Sequence, residues 1–263
     1  MTDNLMELEE GRTPTRPDKK PRKRKKRKKK NYLLRFLILL AVAGGLYYFS
    51  TTPFFDVTAV QVKNNSYYTG EQIIEMAGAK VGGNLFRTDT VIMKEKLLKD
   101  PYIRNVSVNR SLPGTINITV EERKEASVIP YGKKFIILDE NGLVLRHSDL
   151  EPKLPLLLGM TIKEMTPGKA LTVEENAVLT DTLFMLKSME ENDMYFKKID
   201  ISNVIIKAYI YDSLICEGTP DNILKSMENG NLQMVLKDLF ENGIERGVIR
   251  VGSDNYCSFS PEI

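Results

Sequence analysis

A basic run from Lys19 to Lys30, broken only by Pro21, passes straight into an apolar run from Tyr32 to Phe49, interrupted only by Arg35 ("KKPRKRKKRKKKNYLLRFLILLAVAGGLYYF", residues 19–49). No other feature limits the fold so strongly. A single segment in hydrocarbon must satisfy its own backbone polar groups, and only a helix does so. At about 1.5 Å per residue this helix rises roughly 27 Å, close to the ~30 Å hydrocarbon thickness of a bilayer. Arg35 can snorkel to the headgroups at one end. Tyr47, Tyr48 and Phe49 stand where an aromatic belt forms at the other.

The basic residues set the direction of insertion. Lys26, Arg27, Lys28, Lys29, Lys30 and Arg35 hold their end of the span in the cytoplasm, because the membrane potential and anionic lipid oppose their transfer. Beyond the span, Asp56 precedes the first basic residue, Lys63. The expectation is a single-pass protein of the cell membrane, N-terminus cytoplasmic and bulk extracytoplasmic. Two rival readings weigh less. A nucleic-acid tract would account for the Lys/Arg run alone. A cleaved signal peptide would use Ala41-Val42-Ala43 as its small-residue pattern, but the basic region is unusually long and apolar residues continue past it. Residues 1–35 hold 14 Lys/Arg against 5 Asp/Glu, and the rest of the chain 24 against 30. A basic head on a mildly acidic body is not the charge distribution of a nucleic-acid-binding fold, and no nucleic acid is expected as a partner.

The chain then reads as four parts: 1–31, a disordered basic cytoplasmic tail; 32–52, the transmembrane helix; 53–123; and 124–263. The third has the order β-α-α-β-β. "FDVTAVQVKNN" alternates with Val60 and Val62 on one face. "TGEQIIEMAG" has a Thr69/Gln72 capping box and Gly78 as its stop. "TDTVIMKEKLLKDP" starts at Thr88 or Asp89 and pairs Met93 with Leu97 and Val91 with Leu98. "IRNVSVNR" and "TINITVEE" are strands joined by "SLPGT", whose Pro113 and Gly114 suit the centre of a type II turn. The expected core is Val60, Val62, Val106, Ile116, Ile118 and Val120 against Ile73, Ile74, Leu97 and Leu98.

This unit, closed by "DPYIRNVSVNRSLPGTINITVEER", resembles a POTRA domain. A POTRA domain directly after one membrane helix with a basic tail is similar to the FtsQ/DivIB family of cell-division proteins. The similarity continues through "VIPYGKKFIILDENGLVL", "LPLLLG" and "FKKIDISN". The resemblance implies a non-enzymatic scaffold at the division septum. Its implied partners are other bitopic division proteins (FtsL/DivIC and FtsB-like) and, through them, the septal peptidoglycan synthase machinery. The competing function class is a membrane-anchored extracytoplasmic sensor or envelope protein of another pathway.

Residues 124–263 read independently as a second α+β domain. They hold a hairpin turning at Asn141-Gly142 and a helix with a Thr172/Glu175 capping box and a Leu179, Leu183, Leu186 stripe. Further on come two strands parted near Asp212, a helix capped by Thr219 with Pro220 in first position, a helix carrying Leu232, Val235, Leu236 and Leu239, and one or two final strands. Chemistry is not indicated. One histidine and two cysteines fall short of a structural zinc set, His147 reads as a solvated loop residue, "GAKVGG" lacks the Lys-Ser/Thr of a phosphate loop, and no cofactor is expected. Cys216 and Cys257 lie in strand-like segments of one domain, so a disulfide stays open beside two thiols. The candidate partner site is the last strand, Asn255 to Pro261. Near the chain end it should lie at a sheet edge, with Tyr256, Ser258 and Ser260 to one side and Cys257 and Phe259 to the other. Strand addition would use its main chain, with Tyr256 and Phe259 as anchors.

Overall fold

The computed structural model describes residues 31–254 and 256–261. Lys26, Arg27, Lys28, Lys29, Lys30 and Asn255 lie outside the described residues. The chain divides into two units, Met1–Tyr48 and Phe49–Ile263. Helix α1 (Tyr32–Ser50) fills the described part of the first and ends just past the boundary. None of its side chains is buried, Arg35 included, and by length and composition it is sufficient to cross a membrane.

The second unit opens with a 3-10 turn at Pro53–Phe55. Strand β1 (Ala59–Lys63), helices α2 (Gly70–Ala77) and α3 (Thr90–Leu97), and strands β2 (Ile103–Ser111) and β3 (Thr115–Glu122) follow in the expected order. β3 is central: β1 runs parallel to it with Val62 opposite Ile118, and β2 antiparallel with Val106 opposite Val120. The period of two puts Ile116, Ile118 and Val120 on one face, buried against Ile73, Ala77, Met93 and Leu97 of the helices. Local signals start and stop these helices. Thr69 Oγ1 accepts from Gln72 N while Thr69 N donates to the Gln72 side chain, Gly78 ends α2 in the left-handed region, and Asp89 Oδ1 accepts from Val91 N and Ile92 N.

Several expectations change here. Leu98 is 41% exposed rather than in the core, because α3 ends at Leu97 and Leu98 is its C-cap. Val60 and Val62 are half-buried against the cluster, and Ile74 is half-buried. The β2–β3 connection is not a type II turn: the Leu112–Pro113 peptide is cis and Gly114 lacks a positive φ. Glycine is needed at 114 for space, since a Cβ would collide with the Asp56 carbonyl oxygen.

The remaining elements are β4 (Glu125–Tyr131), β5 (Lys134–Asp139), β6 (Val144–Ser148), β7 (Leu156–Leu158), β8 (Ile162–Glu164), β9 (Thr172–Val173), α4 (Asn176–Lys187), β10 (Lys198–Asp200), β11 (Ile206–Tyr209), β12 (Leu214–Gly218), α5 (Pro220–Glu228), α6 (Asn231–Glu241), β13 (Gly247–Val251) and β14 (Cys257–Ser260). All the strands but β8 and β9 form one nine-stranded sheet, in the order β14-β13-β12-β11-β10-β7-β4-β5-β6. The apolar stripes of α4, α5 and α6, including Leu183, Ile223 and Leu236, pack with Leu157, Ile199, Cys216 and Ile249 of the sheet. Val128, Ile137 and Leu145 of β4, β5 and β6 form a separate cluster with Tyr102, which precedes β2.

Two more readings need correction. Thr172 lies in β9 and α4 begins at Asn176; Glu175 is its N-cap but makes no side-chain cap bond, because its carboxylate accepts from Thr161 N at 2.8 Å instead. His147 lies on β6 rather than in a loop, exposed, with Nε2 3.2 Å from the Met165 carbonyl oxygen.

Candidate partner-binding edge

Strand β14 pairs with β13 and has no second strand neighbour among the described residues. The Tyr256 carbonyl accepts from Gly252 N at 3.0 Å, and Ser258 stands opposite Arg250, Ser260 opposite Val248. In an antiparallel ladder bonded and non-bonded pairs alternate. Tyr256, Ser258 and Ser260 therefore bond to β13, while the N–H and C=O groups of Cys257 and Phe259 face the outer edge.

The side chains divide differently from the main chain. Cys257 and Phe259 are half-buried against the core formed with α5 and α6, and Cys257 Sγ lies 3.0 Å from Ser226 Oγ of α5. The Phe259 ring covers Gly247, where a Cβ would stand 2.5 Å from its Cε2. Gly247 also has φ 137°, so glycine is required there twice over. Tyr256 is 69% exposed and Ser258 is exposed, while Ser260 Oγ accepts from Arg250 Nη1 at 3.1 Å. Of the two aromatic candidates, Tyr256 faces solvent and Phe259 faces the core. No disulfide joins Cys216 and Cys257. β13 separates their strands, a span of about 10 Å in a sheet, beyond the ~7 Å limit for a bridged pair. Burial pushes the Cys216 thiol pKa upward, with Cys257 adding to it. Among the described residues no group of three His, Cys, Asp or Glu side chains is placed to hold a metal.

A polar junction, which sequence reasoning did not single out, ties the three-stranded sheet to the nine-stranded one. Tyr102 is buried, its ring stacked on Tyr67 at 3.9 Å. Its hydroxyl donates to Glu125 at 2.6 Å and accepts from Arg146 Nε at 2.9 Å. Burial first, then the Glu125 hydrogen bond, raises the phenol pKa. Nearby, Arg123 Nε lies 3.3 Å from Asp139 Oδ2, and Arg104 Nη2 donates to Glu140 at 2.8 Å. Every pair here is remote in sequence, so no local motif announces it.

Glu122 closes the junction at the end of β3. Its carboxylate accepts from Ser66 N and Tyr67 N, each at 2.6 Å, and from Tyr68 N at 3.2 Å. Burial alone would raise its pKa, but these backbone donors outweigh burial and lower it. A depressed folded-state pKa gives stability that is present above the usual carboxylate pKa of about 4.3 and is lost as pH falls through the folded value. Urea midpoints are therefore expected to drop below about pH 4.3, and Glu122→Gln to flatten that slope. An unchanged slope in the variant would remove Glu122 from this role.

The family model for the POTRA domain, FtsQ-type, matches residues 55–123. The cell division protein DivIB of Clostridium acetobutylicum is 29% identical to this chain over an alignment covering 66% of this chain and 72% of that protein. DivIB of Clostridium botulinum (strain Loch Maree / Type A3) is 31% identical, covering 66% of this chain and 70% of that protein. The cell division protein FtsQ of Geobacter sp. (strain M21) is 29% identical over 59% of this chain and 56% of that protein. With an apolar helix in place for a membrane anchor and the matched domain folded directly behind it, this chain belongs to the FtsQ/DivIB family of bacterial cell-division proteins.

Proposed function

We propose that the chain is a non-enzymatic bitopic scaffold of the division complex, located at the septum, which holds a partner by strand addition at β14. The observation that carries this reading is the outer edge of β14, beside which no second strand lies among the described residues, and toward which the ladder phase turns the main chain of Phe259. Its partners are other bitopic division proteins, FtsL/DivIC and FtsB-like, and through them the septal peptidoglycan synthase machinery. Tyr256 and Ser258 supply side-chain contacts; Phe259 fixes the strand from beneath. The register also selects the test. Proline at Ser258 would break the ladder to β13, whereas proline at Phe259 removes an outward N–H and leaves that ladder intact. Phe259→Pro is expected to weaken co-purification of the partner by about tenfold or more, ~1.4 kcal/mol. Phe259→Ala, which keeps the N–H, controls for the lost ring packing. Equal partner recovery by both variants would exclude strand addition at this edge.

The proposed orientation places the N-terminus in the cytoplasm, set by Lys19 to Lys30 and Arg35. Protease added to intact protoplasts is expected to degrade the chain beyond residue ~55 and spare the tail. Neutralising Lys19 to Lys30 should lower the correctly inserted fraction. Protection of the C-terminal domain in wild-type protoplasts would reverse the assignment.

A further inference from the structure

The POTRA domain has two distinct poles. The chain enters at the Ala59/Thr115 end of the parallel β1–β3 pair and leaves at Glu122, where the junction to the large sheet begins. At about 3.3 Å per residue, β3 holds these ends roughly 25 Å apart. The entry pole is assembled from three loops. Leu85 N donates to the Phe55 carbonyl, Gly82 N to the Val57 carbonyl, and Thr58 N to the Gly114 carbonyl, so the Pro53–Phe55 turn, the α2–α3 loop and the β2–β3 turn are joined. The rings of Phe49, Phe54, Phe55 and Phe86 form one connected cluster with centroids 5.0–6.0 Å apart.

These loops expose apolar side chains that a water-facing surface does not need. Phe54, Val81, Phe86 and Leu112 are between 48% and 66% exposed. A grouping of large apolar residues from separate loops marks a contact surface. The α2–α3 loop adds Lys80 and Arg87 and no carboxylate between residues 79 and 88. Nearby, Asp56 is half-buried and Asp89 is occupied in capping α3. Connectivity limits what lies within reach of this surface. Phe54 follows the end of α1 by four residues, a reach of at most about 14 Å. Aromatic rings beside cationic side chains are what the headgroup region of a bilayer accommodates.

We propose that the entry pole of the POTRA domain is a bilayer-interface surface. Phe54, Val81, Phe86 and Leu112 sit at the boundary between headgroups and acyl chains, and Lys80 and Arg87 meet lipid phosphates. The inference rests on α1 being the membrane span, and it adds a second attachment that holds the domain down on the membrane. Contact at Phe54 alone would follow from the tether, so Phe86 and Leu112, distant from the span in sequence, are the deciding positions.

The chain contains no tryptophan, so each substitution creates a single fluorescent reporter. Phe86→Trp, Leu112→Trp and Tyr131→Trp, the last an exposed site on the large sheet, would be made in the full chain. Each would be reconstituted into phosphatidylcholine/phosphatidylglycerol vesicles carrying brominated or headgroup-proximal spin-labelled lipid. Flotation with the vesicles checks the anchor separately; failure to float would refute α1 as the span, and the inference with it. In floating protein, the reporters at 86 and 112 are expected to be quenched several-fold more strongly than the one at 131. Quenching at either 86 or 112 no greater than at 131 would overturn the proposal and leave the surface to a protein partner.

Discussion

Asp139→Ala is expected to lower stability by about 3–5 kcal/mol, because it leaves a largely buried guanidinium without its counter-charge. Asp139 is 1% exposed at the end of β5, and the side chain of Arg123, just after β3, is 18% exposed. The guanidinium stands 3.3 Å from Asp139 Oδ2, but its Nε and Nη1 make no hydrogen bond, so the pair is held by charge rather than by aligned donors. Such a pair adds little over an apolar replacement of both members, yet removal of one member is costly. Alanine at 139 also strips an acceptor from two backbone donors: Asn141 N and Leu143 N both donate to Asp139 Oδ1, at 2.9 and 2.8 Å. Asp139→Asn keeps that acceptor while losing the charge, so about half the loss is expected. Urea unfolding of the full-length protein in nanodiscs measures both, with an unchanged m-value as the condition for comparison. A loss under about 1 kcal/mol for the alanine variant would mean that Arg123 rehydrates freely. Because Arg123 lies in the link between the two sheets and Asp139 in the nine-stranded one, the variant should also loosen their junction. Faster hydrogen exchange at Tyr102 and Arg123 N, which donates to the Tyr102 carbonyl at 2.7 Å, would report it.

Ile118→Ala is expected to cost about 2–5 kcal/mol within the POTRA domain, the range for a fully buried branched side chain cut to its Cβ. Ile118 has no exposed surface, sits mid-strand on central β3, and lies between Val62 of β1 and Val108 of β2. The cavity would open beneath α2 and α3, where Ile73 and Leu97 are also fully buried. Against a total stability of about 5–15 kcal/mol such a loss is a large share. Ile118→Val, removing one methylene, should cost only about 0.5–1.5 kcal/mol. Thermal melts of the two variants, compared with Asn117→Ala on the opposite face, test the register. Equal tolerance of alanine at 117 and 118 would place β3 one residue out of register.

Residues 69–78, 116–120 and 219–220 could be read locally, because each carries its own rule. Thr69 and Gln72 satisfy one another's backbone donors, Ile116, Ile118 and Val120 alternate against polar neighbours, and Thr219-Pro220 starts α5. The long apolar helix α1 was legible for the same reason, since hydrophobicity over one continuous segment needs no partner to be recognised. Leu98 and the Thr172/Glu175 pair show where that ends. Leu98 continues a helical stripe, yet its exposure depends on where α3 stops; Glu175 has the spacing of a capping box but finds Thr161 N in space. At β14 the sequence determined an extended, alternating segment near the chain end, and so which side chains share a face. Only the tertiary structure decided that β13 takes the main-chain groups of Ser258, that Cys257 and Phe259 turn theirs outward, and that Phe259 covers Gly247. A strand's period is written in consecutive residues, but its edge, its ladder phase and its buried face are set by neighbours that fold in from elsewhere in the chain.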